Sequence, residues 1–223
     1  MQPWRRMPED ASPAARGPVL ALLARGLELW LRQQCEAIED LDIRLEGSAA
    51  ELLRGRLAGV RLTARRVVYQ RLEIERVSLR SEAIRVRMGA LLRTRVVQLE
   101  QAFRVHGEVV FSAEGLGRSF GIAPWSALGD GLAAELLGLA PLGGIRIADD
   151  RLILSAGVGG DQPGEGRTIE LATEVMAVDG TVELRAEPGA RSSRLPMDPN
   201  IRIERAELGG GLLELGGEAL VSA

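Results

Sequence analysis

Residues 56–88, RLAGVRLTARRVVYQRLEIERVSLRSEAIRVRM, show the clearest two-residue alternation of apolar and polar side chains in the chain. Side chains at every second position of a strand share one face, so the pattern predicts antiparallel strands with a buried apolar face and an outer face rich in arginine. The alternation changes parity at residues 66–69 and again between Ile74 and Val77, and each change requires a bulge, bend or turn. The stretch therefore predicts long, curved strands.

Composition limits both the core and the classes of function. The chain has 223 residues, of which 46% are hydrophobic but only 3% aromatic, so the core must consist mainly of Leu, Val, Ile and Ala. Few aromatic rings are available to stack on sugars or bases, which disfavours carbohydrate and single-stranded nucleic acid. Cys35 is the single cysteine. This excludes an intramolecular disulfide or a multi-cysteine metal site and favours a reducing compartment.

The net charge of −3 conceals an uneven distribution. All 28 basic residues are arginines, and residues 54–95 hold 12 of them against 3 acidic residues, a local charge of +9. Such a segment forms either a solvated outer face that protects strand edges or a surface that binds anions such as lipid headgroups and phosphates. The acidic overall balance and the absence of lysine disfavour nucleic acid as a partner.

The N-terminal region predicts a flexible tail at residues 1–16 and then a helix. Its apolar run is too short for a signal peptide or a membrane-spanning helix. Apolar residues at three- and four-residue spacing predict a helix that begins near Gly17 and continues through Cys35 to Ile38. Other apolar side chains widen this stripe, which leaves two alternatives: a helix packed in the core or a membrane anchor.

The remainder of the chain predicts more strands around a helical midpoint. A strand is predicted at residues 40–46 and another at 103–111, and two helices near residues 112–138 begin at Ser112 and end at Gly138. Asp179 and Gly180 predict a two-residue hairpin turn. Flexible loops are predicted at residues 157–166 and 188–199. The later strands are predicted at residues 145–147, 152–158, 169–178, 182–186, 201–208 and 212–221.

Residues that an enzyme would use are scarce. His106, the single histidine, has strand parity that places it on a polar face, and no Gly-x-Ser-x-Gly motif accompanies it. The acidic pairs Asp149–Asp150 and Asp40–Asp42, like the glycines at 209–211, fit turns better than metal or nucleotide sites. We expect no catalysis, no metal and no cofactor. We also expect neither His106 nor Cys35 to be required for function.

Four segments carry a resemblance to a known family. LELWLRQQCEAIEDLDIRLEG, LLRGRLAGVRLTARRVVYQRLEIERVSL, HGEVVFSAEGLGRSF and PNIRIERAELGGGLLELGGEAL together resemble the LmeA-type phospholipid-binding family, over about residues 17–221. Much of this bacterial family consists of domains of unknown function, and the chain is most similar to versions from oxygenic photosynthetic bacteria. The resemblance implies a lipid-binding protein of the envelope or membrane. Exported members begin with a signal peptide, which is not predicted here.

These observations lead to one expected architecture. The fold class is α+β: a long, curved antiparallel sheet wrapped around the N-terminal amphipathic helix, in an elongated, tubular shape suited to lipid. Residues 17–223 are expected to form a single domain of two sheet halves joined by the helices near 112–138.

The expected function is non-catalytic binding or transfer of phospholipid or glycolipid at the cytoplasmic membrane face, with peripheral membrane association. Anionic lipid and the membrane surface are the expected partners. The alternative is a protein–protein scaffold or assembly factor with a fully packed core and a basic face for an acidic partner; an enclosed apolar groove would favour lipid. Predicted headgroup contacts are Arg61, Arg65, Arg66, Arg85 and Arg87. Predicted acyl-chain contacts are Leu23, Leu27, Trp30, Trp125 and Leu132.

Overall fold

The computed structural model describes residues 18–87, 99–158, 167–186 and 191–222. The predicted tail at 1–16 and most of the predicted loop at 157–166 lie outside the described residues. The helices are α1 (Pro18–Gln34), α2 (Ala49–Leu53), α3 (Ala113–Phe120) and α4 (Ser126–Leu137). The strands are β1 (Ala37–Glu46), β2 (Arg56–Leu57), β3 (Gly59–Tyr69), β4 (Leu72–Ser81), β5 (Ile84–Arg85), β6 (Phe103–Ser112), β7 (Leu142–Ala148), β8 (Arg151–Val158), β9 (Arg167–Val178), β10 (Thr181–Ala186), β11 (Ser192–Arg194), β12 (Ile201–Gly209) and β13 (Leu212–Val221).

The strands form two large antiparallel sheets and one small one. Sheet 1 has six strands in the order β1-β3-β4-β6-β13-β12, and sheet 2 has five in the order β11-β10-β9-β8-β7. Strands β2 and β5 form a separate two-stranded ladder. The antiparallel architecture with few helices confirms the coarse fold prediction.

Tight hairpin turns connect successive strands of both large sheets. Asp179 and Gly180 have φ values of 51° and 83°, and Asp149 and Asp150 have 51° and 54°. In a two-residue hairpin turn, positive φ at both central residues gives a backbone twist that matches the twist of the flanking strands. The structure confirms the hairpin turn predicted at Asp179–Gly180 and the turn predicted at Asp149–Asp150. Gly210 also has a positive φ, within the turn between β12 and β13.

The parity change predicted at residues 66–69 is present. Ala64 and Val67 are both buried, with two exposed arginines between them. Arg66 has a φ of 45°, and the register between β1 and β3 shifts at this level. Because the side-chain period of a strand is two, a residue in this conformation is needed to return the apolar positions to the same face.

Helix α1 is shorter and more exposed than the sequence predicts. It ends at Gln34, and β1 begins at Ala37 rather than at residue 40, because the backbone N–H of Glu36 already donates to Val68 in sheet 1 at 2.9 Å. Ile38 therefore lies in a strand. Leu20 is buried, whereas 74% of Leu22 is exposed. The expected wrapping of the sheet around this helix is not observed in the described part of the chain.

Sheet 1 draws strands from both ends of the chain. Strand β13 pairs with β6 along all ten of its residues, and β12 extends the sheet beyond it. The predicted division into sheet halves before and after the helices is therefore incomplete, because β12 and β13 return to the first sheet. The predicted loop at 188–199 also contains strand β11, which pairs with β10.

The core lies between the two large sheets and the helices. Leu132 and Leu136 of α4 pack against Leu152 and Leu154 of sheet 2. Phe111, Leu116 and Leu213 form a second cluster, which joins sheet 1 to α3. A third cluster, Leu41, Ala64, Val67 and Val77, lies beneath α1. The apolar faces of the two sheets thus face a shared interior.

A buried ion pair holds the edge of sheet 2. The side chain of Glu183 is only 5% exposed, and its carboxylate accepts hydrogen bonds from Arg185 at 2.8 Å and Arg194 at 3.0 Å. These bonds, Arg185 first, lower the pKa of Glu183 despite the opposing effect of burial. Arg194 lies on β11, so the carboxylate links the short edge strand to β10.

The lowered pKa of Glu183 predicts a pH-dependent contribution to stability. A carboxyl group whose pKa is lower in the folded than in the unfolded state stabilises the folded protein. This contribution is complete above the unfolded-state pKa of about 4.3 and is lost as the pH falls through the folded-state pKa. We expect Glu183→Gln to lower the thermal midpoint at pH 7, and the difference from wild type to shrink below about pH 4. Glu207→Gln, at an exposed pair with Arg205, is the control. A Glu183→Gln deficit that stays constant with pH would contradict this assignment.

Candidate functional site

A large cavity lies between sheets 1 and 2. Its volume is about 660 Å³, within the range of roughly 300–1,000 Å³ that is usual for small-molecule sites. Both sheets, both helices of the midpoint and the segment at 195–201 contribute to its wall. The lining residues are Leu72, Ile74, Leu79, Val105, Gly107, Val109, Phe111, Leu116, Phe120, Trp125, Leu128, Leu132, Ile145, Leu152, Leu154, Val175, Val182, Leu184, Leu195, Pro196, Met197, Asp198, Ile201, Ile203, Leu213, Leu215, Gly217, Glu218 and Ala219.

The cavity wall is almost wholly apolar. Asp198 and Glu218 are the charged residues that line it, and the wall includes no arginine. The carboxylate of Glu218 lies 3.8 Å from the guanidinium of Arg104 and 4.0 Å from His106, to which it is directly paired across the ladder. Arg104 and His106 alternate with the cavity-lining residues of β6, so their side chains lie on the outer face of sheet 1. The carboxylate of Glu218 contacts them there, so Glu218 lines the cavity with other atoms than its carboxylate. The interior consequently offers a hydrophobic ligand many contacts but no counter-ion.

Helix α3 closes one side of the cavity by bridging the sheets. It contacts β4 and β6 of sheet 1 and β7 of sheet 2. Arg118 donates two hydrogen bonds to the carboxylate of Glu73, at 2.8 and 2.5 Å. This pairing lowers the pKa of Glu73. The fully buried Ser119 accepts from the backbone N–H of Glu73 at 2.9 Å and donates to the carbonyl of Gly115 at 2.7 Å.

The connection between α3 and α4 is hydrogen-bonded to the hairpin of β3 and β4, the hairpin that also contains Glu73. The indole N–H of Trp125 donates to the carbonyl of Gln70 at 2.8 Å, in the turn between β3 and β4. Strand β4 pairs with β6 only over residues 76–81. The rest of β4 therefore has a free edge on that side, and α3 covers it. The sequence predicts both helices and their caps, which the structure confirms, but not this attachment.

The opposite side of the cavity is closed where the two sheets approach each other. Strand β12 contacts β9 and β10, and the backbone N–H of Ile203 donates to the carbonyl of Gly180 at 2.8 Å. Leu195 is anchored to β10 through its bond to the carbonyl of Val182 at 2.9 Å. Beyond this anchor, the lining residues Pro196, Asp198 and Ile201 are exposed to solvent. We call these three residues the mouth of the cavity.

The structure divides the predicted acyl-chain contacts into two groups. Trp125 and Leu132 line the cavity. Leu23, Leu27 and Trp30 lie on α1, next to β1, and are not among the lining residues. The five residues are therefore not brought together in one site.

The predicted headgroup contacts lie outside the cavity. Arg61 is ion-paired with Glu46, and Arg66 with Glu39, an interaction that lowers the pKa of Glu39 and raises that of Arg66. Arg65 is exposed on β3. Arg85 lies on β5 and Arg87 follows that strand; both are exposed. Contact between these arginines and a lipid headgroup remains a prediction.

The two residues that an enzyme hypothesis would use lie apart from the cavity. His106 is 53% exposed, as its strand parity predicts, and lies 3.9 Å from Glu82. Cys35 packs against the cluster beneath α1, and burial, with a smaller effect of the neighbouring Glu36 carboxylate, raises the pKa of its thiol. A raised thiol pKa lowers the thiolate fraction and hence nucleophilicity.

The described residues contain no cluster of three or more His, Cys, Asp or Glu that could hold a metal ion. Within the same residues, no helix combines the length and apolar character needed to cross a bilayer.

Two antiparallel sheets that enclose an apolar cavity define a class of protein able to hold a hydrophobic small molecule. Within that class, the LmeA-like phospholipid-binding family model matches residues 14–220, nearly the whole chain, and the chain belongs to this family. Membership confirms the resemblance seen in the sequence and indicates lipid binding. No curated protein and no solved structure matches the chain.

The attachment of α3 predicts the effect of a single substitution. Ser119→Ala leaves the partly buried backbone N–H of Glu73 without its partner, which should lower the free energy of unfolding by about 1–3 kcal/mol. Urea unfolding measures the change. Ser78→Ala, at an exposed position of the same strand, is the control and should stay within about 0.5 kcal/mol of wild type. Equal effects of the two substitutions would show that Ser119 does not anchor the helix.

Proposed function

We propose that this protein binds phospholipid non-catalytically, with the acyl chains in the cavity between the sheets and the headgroup outside the mouth. The observation that carries the proposal is the cavity itself, an apolar space of about 660 Å³ in a chain of the LmeA-like phospholipid-binding family. Acyl chains match such a wall because they need no polar partner. Their burial contributes about 0.8 kcal/mol per CH₂ before the cost of association.

The size of the cavity supports an occupied state. Without a ligand, the apolar wall around this space is in contact with water, and contact between apolar surface and water is unfavourable. An apolar ligand removes this penalty without desolvating a charge. The alternative of a scaffold with a fully packed core is disfavoured, since the core is not fully packed.

The distribution of charge supports a headgroup outside the interior. The wall includes no arginine, and the carboxylate of Asp198 at the mouth would repel a phosphate drawn past it. The headgroup would therefore remain in solvent or against surface arginines. We propose anionic phospholipid or glycolipid as the ligand, collected or transferred at the cytoplasmic face of a membrane by a peripherally associated protein.

Obstruction of the cavity tests the proposal. Ala219 and Val105 are paired across β13 and β6 and both line the cavity near its mouth. Replacement of either by Trp should reduce phospholipid affinity by about tenfold or more, equivalent to about 1.4 kcal/mol. Ala134→Trp adds the same side chain at an exposed position of α4 and should bind like wild type.

Native mass spectrometry of protein purified without detergent, followed by uptake of labelled phospholipid after delipidation, provides the measurement. Thermal melting verifies that each variant is folded. Folded Trp variants at 105 and 219 that take up phospholipid as well as wild type would contradict the assignment of the cavity as the lipid site.

A further inference from the structure

Helix α1 carries a second apolar stripe that no part of the described structure covers. Leu20 is buried and Leu31 packs against the cluster beneath α1, while Val19, Leu22 and Leu23 are 43%, 74% and 43% exposed. Leu29 and Trp30 follow Leu22 and Leu23 at a spacing of seven residues, about two helical turns, so the exposed side chains form one face rather than scattered positions. An exposed apolar face of this kind marks an interaction site.

The N-terminal half of this stripe lies beside helix α2. The C-terminal end of α1 is held at the start of β1, because the N–H of Glu36 bonds to Val68, the residue opposite Ala37. Strand β1 has ten residues and spans about 33 Å, so the contact between α1 and α2 involves the N-terminal half of α1. Leu53 of α2 is 67% exposed and adds to the apolar surface there.

An arginine cluster continues from α2. Arg54 caps the C-terminus of α2, and Arg56 on β2 is directly opposite Arg85 on β5. With Arg87 these side chains are exposed, and within the described residues none has a carboxylate in ion-pair distance. The nearby carboxylate of Glu51 is held by Ser48 in a capping box and interacts with Arg54 and Arg56 only at longer range. Like charges directly opposite one another destabilise a ladder unless an anion neutralises them.

The arginine cluster and the cavity mouth lie at the same end of sheet 1. Ile201 of the mouth is paired with Ala219, and Ala219 with Val105. Val105 is paired in turn with Ser81, whose hydroxyl accepts from the N–H of Val60 at 2.8 Å. Strand β2 leads into β3 at this level and β5 follows β4, so one row across the sheet connects the mouth to the cluster.

We propose that this end of the molecule docks on the surface of a bilayer that contains anionic phospholipid. The docking end consists of Val19, Leu22, Leu23 and Leu53, which enter the interfacial region, and Arg54, Arg56, Arg85 and Arg87, which contact phosphates. Docking in this orientation turns the mouth toward the bilayer. The inference rests on the proposed function, because it specifies how the lipid-binding cavity meets its source of lipid.

Charge favours a membrane over a second copy of the chain. A twofold dimer through this surface would bring two arginine clusters together, and close like charges oppose association. An anionic bilayer supplies both an apolar layer for the leucines and phosphates for the arginines. Bidentate contact with phosphate is the geometry that guanidinium groups favour.

Co-sedimentation with phosphatidylcholine vesicles, with and without phosphatidylglycerol, tests the docking end. Leu22→Gln/Leu53→Gln should reduce binding several-fold at every salt concentration. Arg56→Gln/Arg85→Gln should reduce binding to phosphatidylglycerol vesicles by about fivefold for each arginine at low salt, and the loss should vanish at high salt. The thermal midpoint should not fall in either variant.

Two controls match these variants. Arg71→Gln/Arg167→Gln removes the same charge from the turn at the other end of sheet 1 and from sheet 2. Leu29→Gln changes an exposed leucine in the far half of α1. Both should bind vesicles like wild type. The obstructed variant Ala219→Trp should also bind vesicles normally while failing to take up lipid, which separates failure of docking from failure of the cavity.

Several results would overturn the proposal. Unchanged vesicle binding in both docking variants would exclude the docking end as the membrane surface, and equal losses in the controls would exclude its end-on orientation. A lowered thermal midpoint in Leu22→Gln/Leu53→Gln would show that another part of the chain covers the leucines. A wild-type dimer that becomes monomeric in this variant, with vesicle binding intact, would assign the surface to a second copy.

Discussion

The attachment of helix α3 to the free edge of strand β4 is the interaction on which the cavity depends. Both large sheets present apolar faces to the interior, and the hydrophobic effect favours their closure. Helix α3 lies between them and contacts both, held to Glu73 by the hydroxyl of Ser119 and the guanidinium of Arg118. The sheets therefore approach each other where β12 meets β9 and β10, but remain apart beside the helix. The space between them is wide enough for a hydrophobic ligand.

The effect of the positive charge in residues 54–95 depends on which acidic residues the fold brings next to it. The local charge of +9 in this segment suggests a continuous basic face, yet several of its arginines meet acids from distant parts of the chain. Arg76, for example, reaches Glu214 on β13, and Arg61 reaches Glu46 on β1. Exposed pairs of this kind contribute little to stability, about 0–1 kcal/mol each, but they reduce the positive potential of the outer face. Arg56 and Arg85 face each other on the small ladder, and neither has a carboxylate within ion-pair distance in the described part of the chain.

Local patterns predicted local structure well and long-range arrangement poorly. The parity change at Arg66 and the Asp179–Gly180 turn follow from steric rules that act within a few residues, and both are present. Trp125 and Leu132 lie at the cavity because their short helical segment packs between the sheets. The pairing of β13 with β6 joins residues more than 90 positions apart, and no local signal specifies it.

The cavity and the boundary of helix α1 also could not be predicted from local patterns. Periodicity identified an unusually wide apolar stripe on α1 but could not determine which part of it packs on the sheet, because that depends on where β1 joins β3. The width of the cavity depends on how far α3 separates the sheets. For these reasons the sequence predicted lipid binding through family resemblance and amphipathic pattern, while the cavity itself emerged only from the packing of both sheets.

Fluorescence of Trp125 provides the most direct measurement of where an acyl chain binds. The chain contains three tryptophans, so Trp4→Phe/Trp30→Phe leaves Trp125, which lines the cavity, as the sole reporter. Phospholipids that carry a nitroxide quencher on the acyl chain or on the headgroup are added to this protein in turn. Acyl-chain entry into the cavity predicts strong, saturable quenching by the acyl-labelled lipid and little by the headgroup-labelled one. Equal quenching by both lipids, or quenching by neither, would contradict it.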